Sequence, residues 1–470
     1  MSTALDAIVV GSGPNGLAAA ITIARAGRSV RVYEAETTVG GGTRSAELME
    51  PGCVHDLCAT VFALALASPV FKELPLADYG LEFVQPAAPF AHPLDDGSAI
   101  SVERSVEITA ASLGATDGRA YRRLVSSFVD RADRLLETLL GPPLISLRHP
   151  VLMASFAQAA LASAIGLARR RFETDRARAL FAGAAAHSMV PLDMRGTAGY
   201  GLSLMVVAHS VGWPVVRGGA QRFGDALAEH LRSLGGEIVV GQRVTSLSQL
   251  PASRAVVCDV TPKQFLRLAG DRLPAPYRRR LERYRYGPAA FKVDWVLNAP
   301  VPWRADECRR AGTVHVGGSL AEIARGERDA WLGRVSDRPY VLVVQPSRFD
   351  ESRAAPGREV LWAYCHVPNG ATADMTDVIE RQIERFAPGF RDCIEMRHTT
   401  SPADMERRNA NLVGGDIAGG AGDLRQIFSR PVLSLNPYAT PIDGVYLCSS
   451  STPPGIGYTA CVGTTQRGQR

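Results

Sequence analysis

A glycine turn set between a short apolar strand and a helix constrains this chain more than any other feature. Asp6 to Val10 (DAIVV) reads as a buried strand and runs directly into Gly11-Ser12-Gly13-Pro14-Asn15-Gly16, after which Leu17 to Arg25 reads as a helix that Gly27 ends. Gly11 allows the tight turn, Gly13 lets the backbone approach a pyrophosphate, and Gly16 lets the helix pack closely on the strand. Phosphates would then sit at the helix start, beside Pro14 and Asn15, where unpaired N–H groups and the helix dipole favour negative charge. A second strand, Ser29 to Tyr33, ends at Glu34, 18 residues beyond Gly16. An acid at that place accepts hydrogen bonds from ribose hydroxyls and disfavours a 2′-phosphate, so the expected nucleotide is not NADP.

NAD and FAD share this fingerprint, and the residues that follow separate them. Val39-Gly40-Gly41-Gly42-Thr43-Arg44 stands just after the acid. This second glycine cluster resembles the one in FAD proteins of the glutathione-reductase and amine-oxidase type. Backbone amides at Gly41, Gly42 and Thr43, with the Arg44 guanidinium, are expected to meet the pyrophosphate and the flavin edge.

Cys53 and Cys58 have the CxxxxC spacing of a redox pair in FAD-dependent disulfide reductases. In those enzymes the first cysteine follows the GGT turn at once, whereas here the pair begins ten residues after Thr43. Those enzymes also carry a second dinucleotide fingerprint, and no strand followed by GxGxxG occurs after residue 100. The disulfide-reductase reading is therefore set aside, and both cysteines are read as ordinary thiols.

At 470 residues the chain is long enough for two domains, and 46% hydrophobic with 21% charged residues is an ordinary globular balance. The net charge of +5 is spread over 52 basic and 47 acidic residues, and Arg169–Arg171 and Arg278–Arg280 are short runs, so no nucleic-acid partner is expected. Eight scattered cysteines without a CxxC and nine dispersed histidines without HExxH give no expectation of a disulfide framework or a metal. The amino terminus enters a strand pattern at once, without the layout of a secretory signal, and the expected location is the cytoplasm. Val151 to Ala168 has 18 uncharged residues, seven of them alanine. It is expected to form a buried or tunnel-lining helix, with peripheral membrane contact as the alternative.

The middle of the chain carries a second unit. Gly218-Gly219-Ala220-Gln221, a helical pattern from Phe223 to Leu234, Gly235-Gly236, and a strand over Glu237 to Val240 with Val244 read as an αβ return to the nucleotide domain. This stretch resembles the GGxxxLxxALxxxLxxxGGxI pattern of the phytoene desaturase-like flavoproteins, departing at Phe223. Near the end, Gly444-Val445-Tyr446-Leu447-Cys448-Ser449-Ser450-Ser451-Thr452-Pro453-Pro454-Gly455-Ile456-Gly457 resembles the family's carboxy-terminal flavin motif. The pattern GWP at Gly212 to Pro214 followed by RGGAQ, with FKVDW, looks most like the group named pyridine nucleotide-disulfide oxidoreductase domain proteins.

The resemblance implies FAD as cofactor. Val244 would offer backbone groups to the adenine, and Ser450, Thr452, Gly455 and Gly457 would lie under the isoalloxazine ring, where amide donors stabilise reduced flavin. It implies hydride transfer between flavin and a small apolar substrate of isoprenoid or lipid type, without a strong acid or base, so no catalytic residue is assigned. Val256 to Asp259 would begin a strand leading back toward the substrate domain, and Ala289 to Trp303, with Lys292 and Asp294, would floor the cavity. His187 and His209 would line it. Two further readings stay open: a flavin amine oxidase, for which no aromatic pair is evident, and a catalytically silent flavoprotein or binding protein.

The implied fold is α/β: a doubly wound, Rossmann-type FAD-binding domain from residues 1–70, 211–285 and 416–470. A mixed-sheet and helical substrate domain from 71–210 and 286–415 is interleaved with it. After Gly457 the family would read something like VHGMCGYNAA, whereas this chain reads Tyr458-Thr459-Ala460-Cys461-Val462-Gly463-Thr464-Thr465-Gln466-Arg467. Back-translated as TAC ACG GCA TGT GTG GGT ACA ACG CAG CG, this stretch shifts to VHGMCGYNAA when one G is added in front. The expectation is a one-base frameshift near codon 458 and a weakened ring end of the flavin site.

Overall fold

The strand Leu5–Val10 is the middle of a five-stranded parallel sheet whose other members come from distant parts of the chain. The computed structural model describes residues 5–141 and 148–455. Across the sheet the order is Val445–Leu447, Ser253–Cys258, Leu5–Val10, Val30–Tyr33, Glu237–Val239. Ala7 pairs with Ala255 on one side and with Val30 on the other. Parallel strands need crossovers and are buried on both faces, which is why these segments are almost wholly apolar. Side chains alternate: Ala7 and Val9 pack with Leu17, Ile21, Phe223 and Leu227 of the helices Pro14–Arg25 and Gln221–Ser233. Ile8 and Val10 face Phe265, Leu268 and Leu281 of the helices Pro262–Ala269 and Ala275–Glu282.

A second, seven-stranded sheet is mixed. Its order is Ile394–Thr400, Ala289–Leu297, Glu359–Val367, Val341–Val344, Ala311–Val316, Ala88–Pro93, Ala99–Val102, and the described pairings are antiparallel except Ala311–Val316 beside Ala88–Pro93. One face packs on Ile379, Ile383 and Phe386 of the helix Thr376–Phe386. On the other side Phe90, Leu342, Val344 and Trp362 meet a helical layer that includes Tyr121, Phe181, Leu202 and Met205.

Several expectations change. Ser253–Cys258, from the stretch assigned to the nucleotide domain, pairs between Leu5–Val10 and Val445–Leu447, where its apolar run satisfies both faces. The strand from Ala289 ends at Leu297, before Asn298-Ala299-Pro300, and all nine of its residues are buried, Lys292 and Asp294 included. The uncharged stretch is not one helix: Pro150–Ala160 and Ala164–Arg171 meet at 92°. Ser163 caps the second helix through Gly166 N–H. Leu152, Phe156, Ala164 and Leu167 are buried while Val151 is 79% exposed. No single helix among the described residues is long and apolar enough to cross a membrane. Gly457 and the tail from 458 lie outside the described residues.

A buried ion pair ties the segments together. Arg353 Nη2 donates to Asp56 Oδ2 at 2.6 Å with both side chains fully buried. Asp56 Oδ1 also accepts from Ala220 N–H at 2.8 Å and Ser45 O–H at 2.7 Å.

Candidate active site

The glycine turn adopts the geometry its spacing predicts. Gly11 has φ +101° and donates its N–H to the carbonyl of Tyr33. A Cβ on Gly16 would stand 2.2 Å from the Gly11 carbonyl oxygen, so only glycine lets the helix sit this close to the strand. The helix Pro14–Arg25 aims its first turn at the cavity, with Gly13, Pro14 and Asn15 in the wall. Across from it stand Gly41 and Gly42; a Cβ on Gly41 would be 3.0 Å from Gly13 Cα.

Glu34 is held in place by its neighbours. Its Oε2 accepts from the N–H and hydroxyl of Ser12 at 2.9 and 2.5 Å, and its Oε1 accepts from Glu36 N–H at 2.9 Å. Gln242, Arg243, Val244 and Thr245 complete this end of the cavity. Arg44 also lines it, with Nε donating to the Gly41 carbonyl and Nη2 to the Arg408 carbonyl.

The cavity is continuous and has a volume of about 560 Å³. From the turn it passes Cys58 and Ser450 to an apolar end walled by Leu64, Leu204, Trp213, Leu342, Val344 and Trp362. The expected residues divide here. Gly11, Gly13, Pro14, Asn15, Glu34, Gly41, Gly42, Arg44, Val244 and Ser450 line the cavity, whereas Gly16, Thr43, Thr452 and Gly455 stand behind the wall. Thr43 is buried with its hydroxyl on the Gly40 carbonyl, Thr452 donates to the Ser449 carbonyl, and Gly455 (φ +105°) lets Arg430 approach.

His187 lines the cavity as expected; His209 does not. Its Nε2 lies 2.6 Å from the Tyr121 hydroxyl and its Nδ1 3.3 Å from the Arg104 carbonyl, in the helical layer. The helices of 150–171 contribute no cavity wall. Lys292 and Asp294 form a buried pair, His55 Nδ1 lies 3.3 Å from Asp294 Oδ1, and the Lys292 ammonium stands 5.1 Å from the Trp362 ring centre. Burial pushes the Asp294 carboxyl up, but Lys292 and His55 outweigh it and hold it below the usual range. Cys53 is buried against Val296 and Val360, while Cys58 opens on the cavity, and both are free thiols.

Three features were missed from sequence. Asp259, at the end of the strand Ser253–Cys258, reaches under the glycine turn, and its Oδ2 accepts from Gly16 N–H at 3.0 Å. Burial pushes its carboxyl up to about 7, opposed by that bond and assisted by the charge of Glu34. The segment Arg408 to Leu412 closes one side of the cavity, pinned by Asn411, whose amide donates to the Asp259 carbonyl and accepts from Thr261 N–H. No local motif marks it. Trp362 and Tyr364, two apart on one face of the same strand, stack at 5.8 Å and 12° in the cavity wall.

Residues 9–74 match the model of an NAD(P)-binding Rossmann-like domain. Pyridine nucleotide-disulfide oxidoreductase domain-containing protein 2 of Mus musculus is 24% identical, over 97% of this chain and 92% of its own length. Phytoene dehydrogenase of Streptomyces griseus is 28% identical, over 87% of this chain and 80% of its own. This chain is a homologue of the phytoene desaturases. By that homology it is an oxidoreductase. Among solved structures, an oxidoreductase from Methanosarcina mazei has a TM-score of 0.67 at 14% identity, covering 98% of this chain and 100% of that one. A putrescine oxidase variant has 0.62 at 18%, covering 99% and 97%. These likenesses establish the amine-oxidase-like fold for the desaturase homologue.

Proposed function

We propose that this oxidoreductase holds FAD along its cavity and transfers hydride between the flavin and an apolar substrate of isoprenoid or lipid type. The observation that carries the reading is the continuity of the cavity from the Gly11–Gly16 turn and Glu34 to the apolar end at Leu204, Leu342 and Trp362. The residues present suit the cofactor. Gly13 and Gly41 leave a cradle that side chains would fill, Glu34 suits ribose hydroxyls, and Gln242 to Val244 suit the adenine. Arg44 and Ser450 suit the ring-bearing half. When bound, the flavin supplies a two-electron acceptor for hydride. The chain's own part is to orient the substrate against apolar walls and to exclude water.

A second reading, amine oxidation, is favoured by one observation: the stacked Trp362 and Tyr364 with the Lys292 ammonium beside Trp362. Such faces attract a cationic ligand. Anaerobic mixing of FAD-loaded protein with polyisoprenoid donors and, separately, with primary amines distinguishes the two. Bleaching of the flavin bands by isoprenoids supports the proposal, and bleaching by amines alone overturns it.

A further inference from the structure

Four buried indoles give their N–H to two kinds of acceptor, and the difference follows the cavity. Trp295 and Trp303 do not border it, and they donate to Glu380 Oε1 at 3.1 Å and to Gln345 Oε1 at 2.9 Å. Those oxygens carry no proton, and the Gln345 amide gives its own to the carbonyls of Cys308 and Ala311. Trp213 and Trp362 do border the cavity, and they donate instead to threonine hydroxyls, Thr313 Oγ1 and Thr60 Oγ1, each at 2.9 Å. A hydroxyl has a proton of its own to place.

Thr60 stands two residues past Cys58, toward the half of the cavity proposed for the cofactor. Thr313 stands at the other side of the apolar end. Trp362, Val344, Thr313 and Phe90 lie side by side on neighbouring strands; the first three border the cavity, and Phe90 is fully buried. Two strand spacings put Thr313 about 10 Å from Trp362, at the last place in this row that a ligand can reach.

One lone pair of the Thr313 hydroxyl is taken by Trp213, whose position is fixed from several sides. The Trp213 backbone N–H donates to Gln85 Oε1 at 3.0 Å, and its ring packs on Phe90 at 5.2 Å and on His187 at 6.2 Å. Among the described residues the Thr313 hydroxyl proton meets no acceptor. Thr313 is 1% exposed and borders the cavity, so that proton is left to a ligand.

We propose that Thr313 is a specificity residue whose hydroxyl donates to an oxygen of the carbonyl class, carried at the leading end of an otherwise apolar, isoprenoid or lipid-like substrate. The inference rests on the reading that such a substrate occupies this end of the cavity.

The choice of ligand follows from the bond that Trp213 makes. An indole N–H aimed at the hydroxyl oxygen draws electron density from it, which makes Thr313 a stronger donor and a poorer acceptor. A carbonyl oxygen only accepts, and it completes the chain N–H, O–H, O=C. A hydrocarbon of the same shape leaves the hydroxyl proton buried and bare, and a site built to hydrogen-bond rejects a ligand that cannot. An ammonium brings only protons and meets the weakened lone pair. His187 and the Tyr364 hydroxyl also border this end, but each can offer a proton or a lone pair, so neither chooses among these ligands.

Geranylacetone labelled with 13C at its carbonyl and bound to FAD-loaded protein reads the bond directly by infrared difference spectroscopy. The carbonyl band should lie below its position in hexane. Thr313→Ser should keep it there, and Thr313→Val should raise it. Thr313→Val with Trp213→Phe also removes the indole N–H that valine alone leaves bare. In that protein the band should return to its hexane position, and affinity for the ketone should fall about tenfold relative to the hydrocarbon of the same skeleton, the effect of one net hydrogen bond. A hexane-like band in the wild type, no bound ketone, or a band and affinity ratio unchanged in the folded double variant would overturn the proposal. If the double variant does not fold, Thr313→Val alone decides, and an unmoved band overturns it. Band position and affinity are read without turnover, so this outcome is separate from the bleaching test that decides the function reading.

Discussion

Asp259 Oδ2 accepts the N–H of Gly16 at 3.0 Å, joining the nucleotide turn to a strand end 243 residues away. The bond uses a helix N-terminal donor and brings a carboxyl to the place where phosphates are expected. Burial, with the charge of Glu34, keeps that carboxyl up at about 7 against an ordinary 3.8. Between those values the folded chain binds a proton that the unfolded chain has released. Folding is therefore penalised progressively as pH rises from about 4 to about 7, and not further above it. Bound phosphate would push in the same direction. The expected outcome is FAD affinity that falls from about pH 6 to about pH 8. Asp259→Asn keeps an acceptor for Gly16 without the charge and should flatten that fall. Equilibrium dialysis at each pH checks it, and a wild-type affinity independent of pH would contradict it.

The two inner glycines of the turn should fail differently. A methyl at Gly16 meets backbone, 2.2 Å from the Gly11 carbonyl oxygen, so Gly16→Ala should cost about 1–3 kcal/mol in urea unfolding. A methyl at Gly13 meets the tip of the Asp259 side chain at 2.6 Å, which can shift. Gly13→Ala should keep its unfolding midpoint and lose FAD binding, measured by flavin fluorescence.

The nucleotide half was legible because its chemistry is local. Gly11, Gly13, Gly16 and Glu34 lie within 24 residues, and each answers to one steric or electrostatic need. Gly16 stands behind the cavity lining, where its expected part is to let the helix pack on the strand, and Thr43, Thr452 and Gly455 stand there too, since a motif marks a tight backbone without saying which atoms face the cavity. Asp259, the Arg408–Leu412 segment and the Trp362–Tyr364 pair owe their places to crossovers of a hundred residues and more. His187 and His209 looked alike in sequence; only the packing of Tyr121 against His209 separates them.

The Asp56–Arg353 pair should behave as a structural latch. Burial raises the Asp56 carboxyl, but Arg353, with the donors of Ala220 and Ser45, brings it below the ordinary value. Its stabilisation is present above the unfolded pKa and is lost as pH falls below about 4. Arg353→Met strands a buried charge and should cost about 3–5 kcal/mol, whereas Arg353→Met with Asp56→Leu should cost much less. Chemical denaturation of the three proteins at neutral pH measures the difference.

Cys58 and Cys53 should react unequally, which tests the setting aside of a redox pair. Burial pushes the Cys58 thiol up, against the pull of Lys292 and Arg44. A thiol reagent should label Cys58 only at alkaline pH, should be blocked there by FAD, and should miss Cys53 until the chain unfolds. Cys58→Ser should retain flavin reduction; its loss would restore the redox reading.

The most direct measurement is a flavin titration followed by reduction in one cuvette. Protein freed of cofactor should take up one FAD per chain with a shifted flavin spectrum, Glu34→Ala should weaken that uptake, and a polyisoprenoid donor added without oxygen should bleach the bound flavin. Uptake that is indifferent to Glu34→Ala, or bound flavin bleached by amines and untouched by isoprenoids, would contradict the account.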